Sequence, residues 1–576
     1  MRLLKVAALS TAALCAAVFL FVLATLPPKA RALDVSPAAA RQVVAGAYHV
    51  HTRRSDGTGT ADEVAAAAAR AGLDFVIVTD HGDASRPLDP PTYRSGVLCL
   101  EGVEVSTWQG HYAVFGIRPP GYPLGGEPRD VVEDVARLGG FGVAAHPESP
   151  KPALQWKEWD APVDALEWLN ADSEWRGTSR LRLGHTLFAY LFRAPESVVS
   201  AFNRPEASLA RWDEVTRRRR VVGIAGLDAH ARIGVSTAEP YTGEAAFKVP
   251  SYEAMFRAFA TRVQLDRPFT GRAGIDAMTL RSALADGHLY TAIDALAGPP
   301  SFDFSARSGL FSARQGDDLT LGGPIEIEAH ANAPDATVVL FANGRVVAES
   351  RGRLQHRAEP VAAVFRVEVR LPSAPGEPPI PWIVSNPVYA GGIVDPRPPV
   401  VRAEAGESAP VTSQPGDWSM EREPRSQGHI TSSGPGAVTL DYTLGNGPAS
   451  GQYIAIAHRA SGVGTWDRLQ LRARAAHPMR VSVQLRTPAA PDGARWQRSV
   501  YLDEAPRDIT VFLDDVRPIG PAPTARPDLA GIDTLLFVVD TTNAHPGTSG
   551  WVEFSEVRWS RPATSSPSAG GTPRPR

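Results

Sequence analysis

Cysteine is nearly missing from this chain: 576 residues contain two, Cys15 and Cys99. Cys15 lies in an N-terminal apolar segment, so the folded body keeps one thiol and an intrachain disulfide framework is excluded. Cys99, in GVLCLEG, reads as a small buried hydrophobe. An excess of one charge is also missing. Lys and Arg number 59 against 62 Asp and Glu, for a formal net charge of -3, and this balance excludes broad nucleic-acid binding. No internal repeat divides the chain, and its length exceeds what one core can organise, so three or four domains are expected.

What the N-terminus does contain is Arg2 and Lys5, an apolar run from Val6 to Leu26 interrupted only by Ser10, Thr11 and Thr25, and then PPKARA. This is an export pattern. Residues 1–32 read either as a signal peptide cut at the A-x-A site of Ala30 and Ala32, or as a membrane anchor left in place. The stretch TAAL before Cys15 lacks the small residue that lipid attachment needs. The body is therefore expected outside the cytoplasm, periplasmic or secreted, with membrane contact only through this segment.

From residue 43 to about 300 short apolar runs alternate with helical stretches, as in βα units of a parallel sheet or barrel. VVAGAYHV, LDFVIVTD, VLCLEGVEVS, HYAVFGI, GFGVAAH, VDALEWLN and VVGIAGLDAH read as strands. Thr60 and Glu63 form a capping box that opens an alanine-rich helix. The helical stretch at about 173–220 is long for a connector and reads as an insertion over one end of the sheet. Beyond AGPPS the pattern turns all-β. A β-sandwich is expected over 301–392, closing at PWIVSNPVYA, then a linker over 393–415, a jelly-roll-like unit over 416–561 and a disordered tail over 562–576.

Metal-ligating side chains recur at the ends of the expected strands. In AYHVHTRRSDG, His49 and His51 fall on one face of a strand, close enough to share an ion, and Asp56 follows. His81 ends the second strand, Glu104 lies in GVEVST, His111 begins HYAVFGI, His146 ends GVAAH, and Asp228 with His230 ends GIAGLDAH. Six of the 14 histidines thus meet at one rim, where parallel barrels place their chemistry. Imidazole and carboxylate without cysteine suit Zn, Mn or Fe in a hydrolytic site.

The motifs HVHTRRSDG, TDHGD, GVEVST, AHPES and GLDAHAR, in this order and spacing, resemble the PHP (polymerase and histidinol phosphatase) domain over roughly Val43 to Ile293. The resemblance implies a distorted (β/α)7 barrel holding two or three divalent ions, followed here by two all-β domains. It implies that His49 and His51 share the first ion with Asp228 and Glu104, that Glu104 bridges to a second ion completed by His111 and His146, and that Asp56, His81 and His230 hold a third. Catalytic roles would fall to Glu104, Asp228 and His146. An exported PHP domain ahead of a β-sandwich ending in SNPVYA also resembles the carbaryl-hydrolase-like branch, whose known members cleave an aryl carbamate ester.

The expected function is an exported metal-dependent hydrolase in which clustered cations lower the pKa of a bound water. Phosphoester hydrolysis leads and carboxyl or carbamate ester hydrolysis is the alternative. A metal-bound cell-surface binding protein is a third reading, against which nine ligands around one mouth argue. For a small-molecule phosphoester, Arg53, Lys151 and Arg232 are candidate substrate contacts beside Arg54. Asp80 reads as support rather than ligand, and Glu167 points either into the mouth or into the core. His185 reads as structural and the run Arg217 to Arg220 as a solvated helix end. Trp418, Trp466, Trp496, Trp551 and Trp559 give the C-terminal β unit a candidate carbohydrate surface.

Overall fold

The computed structural model describes residues 2–35, 43–232, 247–396, 400–411, 415–434, 436–488, 493–520, 522 and 524–563. The chain divides into two units, Met1–Pro119 with Glu127–Arg397 and Pro120–Gly126 with Pro398–Arg576. It is a mixed α/β protein dominated by β-sheet.

The first unit begins with α1 (Arg2–Ala24) and β1 (Val43–Val50). Among the described residues no helix is long and apolar enough to cross a membrane. After β1 comes α2 (Ala61–Arg70), where the Thr60 hydroxyl accepts from Glu63 N and the Glu63 carboxylate accepts from Thr60 N, closing the capping box. Its apolar face, Val64, Ala65, Ala67 and Ala68, is buried. β2 (Phe75–Val78) and β3 (Val97–Thr107) extend the sheet in parallel, with Val76 opposite both Ala47 and Cys99.

β4 (Gly110–Phe115) departs from the expected βα pattern. It runs antiparallel to β3, with Glu104 opposite Ala113 and Ser106 opposite His111, and antiparallel to β5 (Phe141–Ala144). Only Trp108 and Gln109 separate β3 from β4, whereas a parallel crossover needs about a dozen residues. Past α3 (Pro128–Arg137) and β5, the strands β6 (Ala165–Asn170) and β7 (Val222–Gly226) restore parallel pairing. The sheet then returns on itself. Leu227 N donates to Tyr48 O at 3.0 Å, Ala229 N to His49 O at 3.2 Å, and His51 N to Ala229 O at 3.1 Å, so seven strands form a closed ring. Between β6 and β7 stands a helical insertion of α4 (Ala171–Gly177), α5 (Arg180–Tyr190), α6 (Ala194–Ser200) and α7 (Glu206–Thr216).

The expected sandwich is not a separate bead. β8 (Ala260–Gln264) pairs with the N-terminal half of β1, β9 (Leu289–Ala292) pairs with β8, and β9 pairs with Ile383–Ser385 of the sandwich. One sandwich layer contains Phe302–Ser308 and Ile325–Ala331, whose side chains alternate strictly between buried and exposed. The other contains Thr337–Ala342 and Ala363–Arg370.

SNPVYA is the latch between ring and sandwich. Asn386 Oδ1 accepts from Gly223 N at 2.9 Å, its Nδ2 donates to Gly223 O at 2.8 Å and Leu289 O at 3.1 Å, and the Tyr389 hydroxyl accepts from Val221 N at 3.2 Å. Beside it Arg366, 3% exposed, binds Asp213 at 2.5 and 2.7 Å and Glu368 at 2.8 Å, its guanidinium 4.1 Å from the Phe341 ring centre. The arginine run is not merely solvated. Arg219 donates to Ala161 O at 2.9 Å, and Arg220 pairs with Asp318 at 2.6 Å while lying over Tyr389.

The second unit is a β-sandwich of two six-stranded antiparallel sheets around one apolar core. Two expected boundaries shift. Ala405–Pro410, within the stretch read as linker 393–415, is a strand paired with Ser549–Pro562, which in turn runs into the stretch read as tail. The remainder of that tail, 564–576, lies outside the described residues. Trp418, Trp496 and Trp559 are buried in the core rather than displayed as a sugar platform.

Candidate metal centre

Three of the candidate ligands take a left-handed backbone near the ends of the ring's strands, His49 at a bulge inside β1 and His146 and Asp228 two residues past β5 and β7. His49, His146 and Asp228 have φ of 63°, 31° and 50°, a conformation costly for residues with a Cβ and typical of functional sites. The turns bring all nine predicted ligands together.

Around the first position, His49 Nε2 lies 3.3 Å from Glu104 Oε2 and 3.5 Å from Asp228 Oδ1, and His51 Nε2 lies 3.3 and 3.1 Å from the same two oxygens. The Nε2 atoms of both histidines are buried without a hydrogen-bond partner. Ligand atoms about 2.1 Å from a common ion at tetrahedral angles stand about 3.4 Å apart, so this set fits a divalent cation better than it fits mutual hydrogen bonds. At the expected second position Glu104 Oε1 is 2.8 Å from both His111 Nδ1 and His146 Nε2, a direct hydrogen-bond distance, and His146 also lies within reach of an ion shared with His49 and Asp228, while His111 groups with His81 and Glu104. The third gathers Asp56 Oδ2, 3.3 Å from His230 Nε2 and 3.6 Å from His81 Nε2, and His51 joins the same group. His81 also turns Nδ1 toward Glu104 Oε2 at 3.2 Å, so it faces two positions rather than the one expected.

Asp80 is not among these groups. It accepts from Thr52 N at 2.7 Å, Thr52 Oγ1 at 2.6 Å and Ser55 Oγ at 2.6 Å, and so shapes the loop carrying His51 and Asp56. Glu167 resolves toward the mouth: it is fully buried and 2.6 Å from His49 Nδ1. Asn170, unnoticed in the sequence, stands 3.4 Å from Asp228 Oδ2, and its place after a strand as the cap of α4 was the available signal.

The cations fare differently. Arg53 is more than half exposed and donates to Thr58 O of its own loop at 2.7 Å, and Arg54 is paired with Asp89 and Glu101. Lys151 lies half-buried in the loop after His146. Arg232 donates to Asp56 O at 3.3 Å, which keeps it beside the third position. His185 Nε2 bonds the hydroxyl of Thr25, the residue that follows α1.

No protein-family model matches the chain, and no curated protein matches it. Solved structures match weakly. A family 11 carbohydrate-binding module of the cellulosomal cellulase Lic26A-Cel5E of Clostridium thermocellum is 15% identical over 27% of this chain and 95% of that one, with a TM-score of 0.23. A CBM4 structure is 18% identical over 26% of this chain and 96% of that one, with a TM-score of 0.18. An exo-beta-agarase is 12% identical over 27% of this chain and 24% of that one, with a TM-score of 0.20. Likenesses of this size assign neither a fold nor a ligand.

In the metal-free protein, burial acts to lower the His51 pKa, but the facing carboxylates of Asp228 and Glu104 prevail and push it up to about 10. Burial likewise acts to lower the His49 pKa, and Asp228, Glu167 and Glu104 overcome it and raise the pKa well above the usual imidazole value. Burial prevails at His111, whose pKa is lowered. Protons therefore occupy part of the cation site. A raised folded pKa stabilises the metal-free fold fully below the unfolded value of about 6.5, and this contribution is lost as pH rises through about 10. Metal loading at pH 8 is expected to release at least one proton, with apparent affinity rising up to about tenfold per pH unit between 7 and 10. Calorimetry in buffers of different ionisation enthalpy measures the release, and a pH-independent titration would contradict the assignment.

Proposed function

We propose that the chain is an exported, metal-dependent hydrolase of the PHP type acting on phosphoesters. The observation that carries this reading is Glu104, whose two oxygens face five histidines, His49, His51 and His81 on one side and His111 and His146 on the other. A carboxylate so placed would hold a cation on each of its two sides. Two or three divalent ions of Zn, Mn or Fe held there would supply Lewis acidity and lower the pKa of a bound water. At the first position Asp228 and Glu104 stay ionised, because the facing histidines outweigh burial and hold both carboxyls well below the usual range, while Thr52, Ser55 and Asp80 fix the loop that presents His51 and Asp56.

Charge favours an anionic substrate. Three divalent ions would outweigh the facing carboxylates of Asp56, Glu104 and Asp228, leaving the mouth positive without a guanidinium clamp. Among the predicted cations, Arg232 is the best-placed substrate contact. A second reading, carboxyl or carbamate ester hydrolysis, is favoured by the cavity beside Asp228 and His230, where Trp175, Val198, Pro250 and Met255 supply an apolar wall. The apolar N-terminal segment supports export, and carbohydrate binding by the C-terminal unit remains a subsidiary proposal.

Parallel assays on p-nitrophenyl phosphate, bis-p-nitrophenyl phosphate, naphthyl acetate and a naphthyl methylcarbamate decide between the two chemistries. Metal-dependent phosphoester turnover, lowered at least tenfold by Arg232→Ala with ester rates unchanged, is the expected result. Efficient ester or carbamate cleavage with negligible phosphoester turnover would establish the second reading instead.

A further inference from the structure

Glu167 has a geometry that no ligand role uses. Its Oε1 lies 2.6 Å from His49 Nδ1, and its Oε2 accepts from His146 N at 2.7 Å and from Asn170 Nδ2 at 2.8 Å. Asn170 is also 3.4 Å from Asp228 Oδ2. Two features of the strands build this arrangement. The register of β6 against β7 shifts between Glu167 and Leu169, and the bulge lets residues three apart meet on one side. Across from it Gly226 leaves the carboxylate its space, since a Cβ there would stand 2.0 Å from Glu167 Oε1.

We infer that Glu167 is a positioning residue that braces the first and second metal positions against each other. The inference rests on the metal-centre reading above. Three donors converge on one carboxylate: the His49 Nδ1–H, the His146 backbone N–H and the Asn170 amide. A donor at His49 Nδ1 leaves the Nε2 lone pair aimed between Glu104 and Asp228, the tautomer a cation requires. The same carboxylate anchors the backbone of His146 in its left-handed turn and, through Asn170, steadies Asp228. Glutamine cannot substitute. Its amide has one acceptor oxygen, so in either orientation an N–H would meet a donor.

The test uses the full chain, stripped and titrated with Co²⁺, with affinity read from visible absorption and spin coupling between neighbouring Mn²⁺ ions read by electron paramagnetic resonance. Glu167→Gln should weaken the first cobalt about 10- to 100-fold and abolish the coupled manganese signal. Gly226→Ala, which displaces the carboxylate and leaves its charge, should shift both readouts in the same direction and decides the matter if Glu167→Gln does not fold. Unchanged cobalt affinity and coupling in a folded variant, beside a wild type that loads normally, would overturn the bracing role alone. A wild type that takes up no cobalt would overturn the metal-centre reading and the brace with it.

Discussion

Glu104→Gln should cost the chain at least one equivalent of metal relative to wild type and should lower turnover about a thousandfold, the rate equivalent of several kcal/mol of lost charge stabilisation. The size of the effect follows from sharing. Oε2 stands 3.2 to 3.3 Å from nitrogens of His49, His51 and His81, and Oε1 stands 2.8 Å from nitrogens of His111 and His146. Glutamine keeps one acceptor and presents an N–H where the other stood, so one position loses its bridge and gains a donor. His49→Ala removes a single ligand and should cost less metal. Elemental analysis after dialysis, paired with assays at saturating metal, measures both. A glutamine variant that keeps the wild-type metal content and more than a tenth of wild-type turnover would sink the bridging role.

Arg366→Ala should destabilise the first unit by about 3 kcal/mol, because it takes from the largely buried Asp213 carboxylate both of its guanidinium contacts, whereas Glu368 keeps Arg204 and Arg370. The same reasoning gives an asymmetric truncation series. A chain ended after Gly298 loses the strand that pairs with Leu289–Ala292 and the Asn386 latch on Gly223, and should not fold. A chain ended after Arg397 keeps the first unit and all nine ligands, and should retain turnover of a small soluble substrate. Urea unfolding of metal-free protein gives the first quantity and circular dichroism with activity the second. A folded, metal-binding product of the shorter truncation would refute the shared-sheet account.

Much of this was legible in the sequence because strand ends and ligands coincide there. His49, His81, His146 and Asp228 each close an apolar run, and periodicity alone locates them. Direction was not legible, since an apolar run such as HYAVFGI reads the same either way. The four residues between VLCLEGVEVS and HYAVFGI nevertheless excluded a helical crossover, and the hairpin could have been found from that length. The roles of Glu167 and Asn170 lay beyond pattern reading, because they depend on a bulge that no composition announces. The cations misled for a related reason. Proximity in sequence placed Arg53 and Arg54 at the mouth, but their own loop and the carboxylates of Asp89 and Glu101 hold them elsewhere.

Strand β1 is the seam of the ring, bonded along its end to residues 227–229 and along its beginning to Ala260–Gln264. In biosynthesis, this makes the first strand of the ring wait for the last. His49 and His51 emerge early, but Asp228 reaches them only after some 180 further residues have been made, so the chain travels with its ligand pair open and one edge of its leading strand unpaired. If the chain is exported unfolded, the seam closes outside, and metal is acquired in the compartment where folding finishes rather than where synthesis begins.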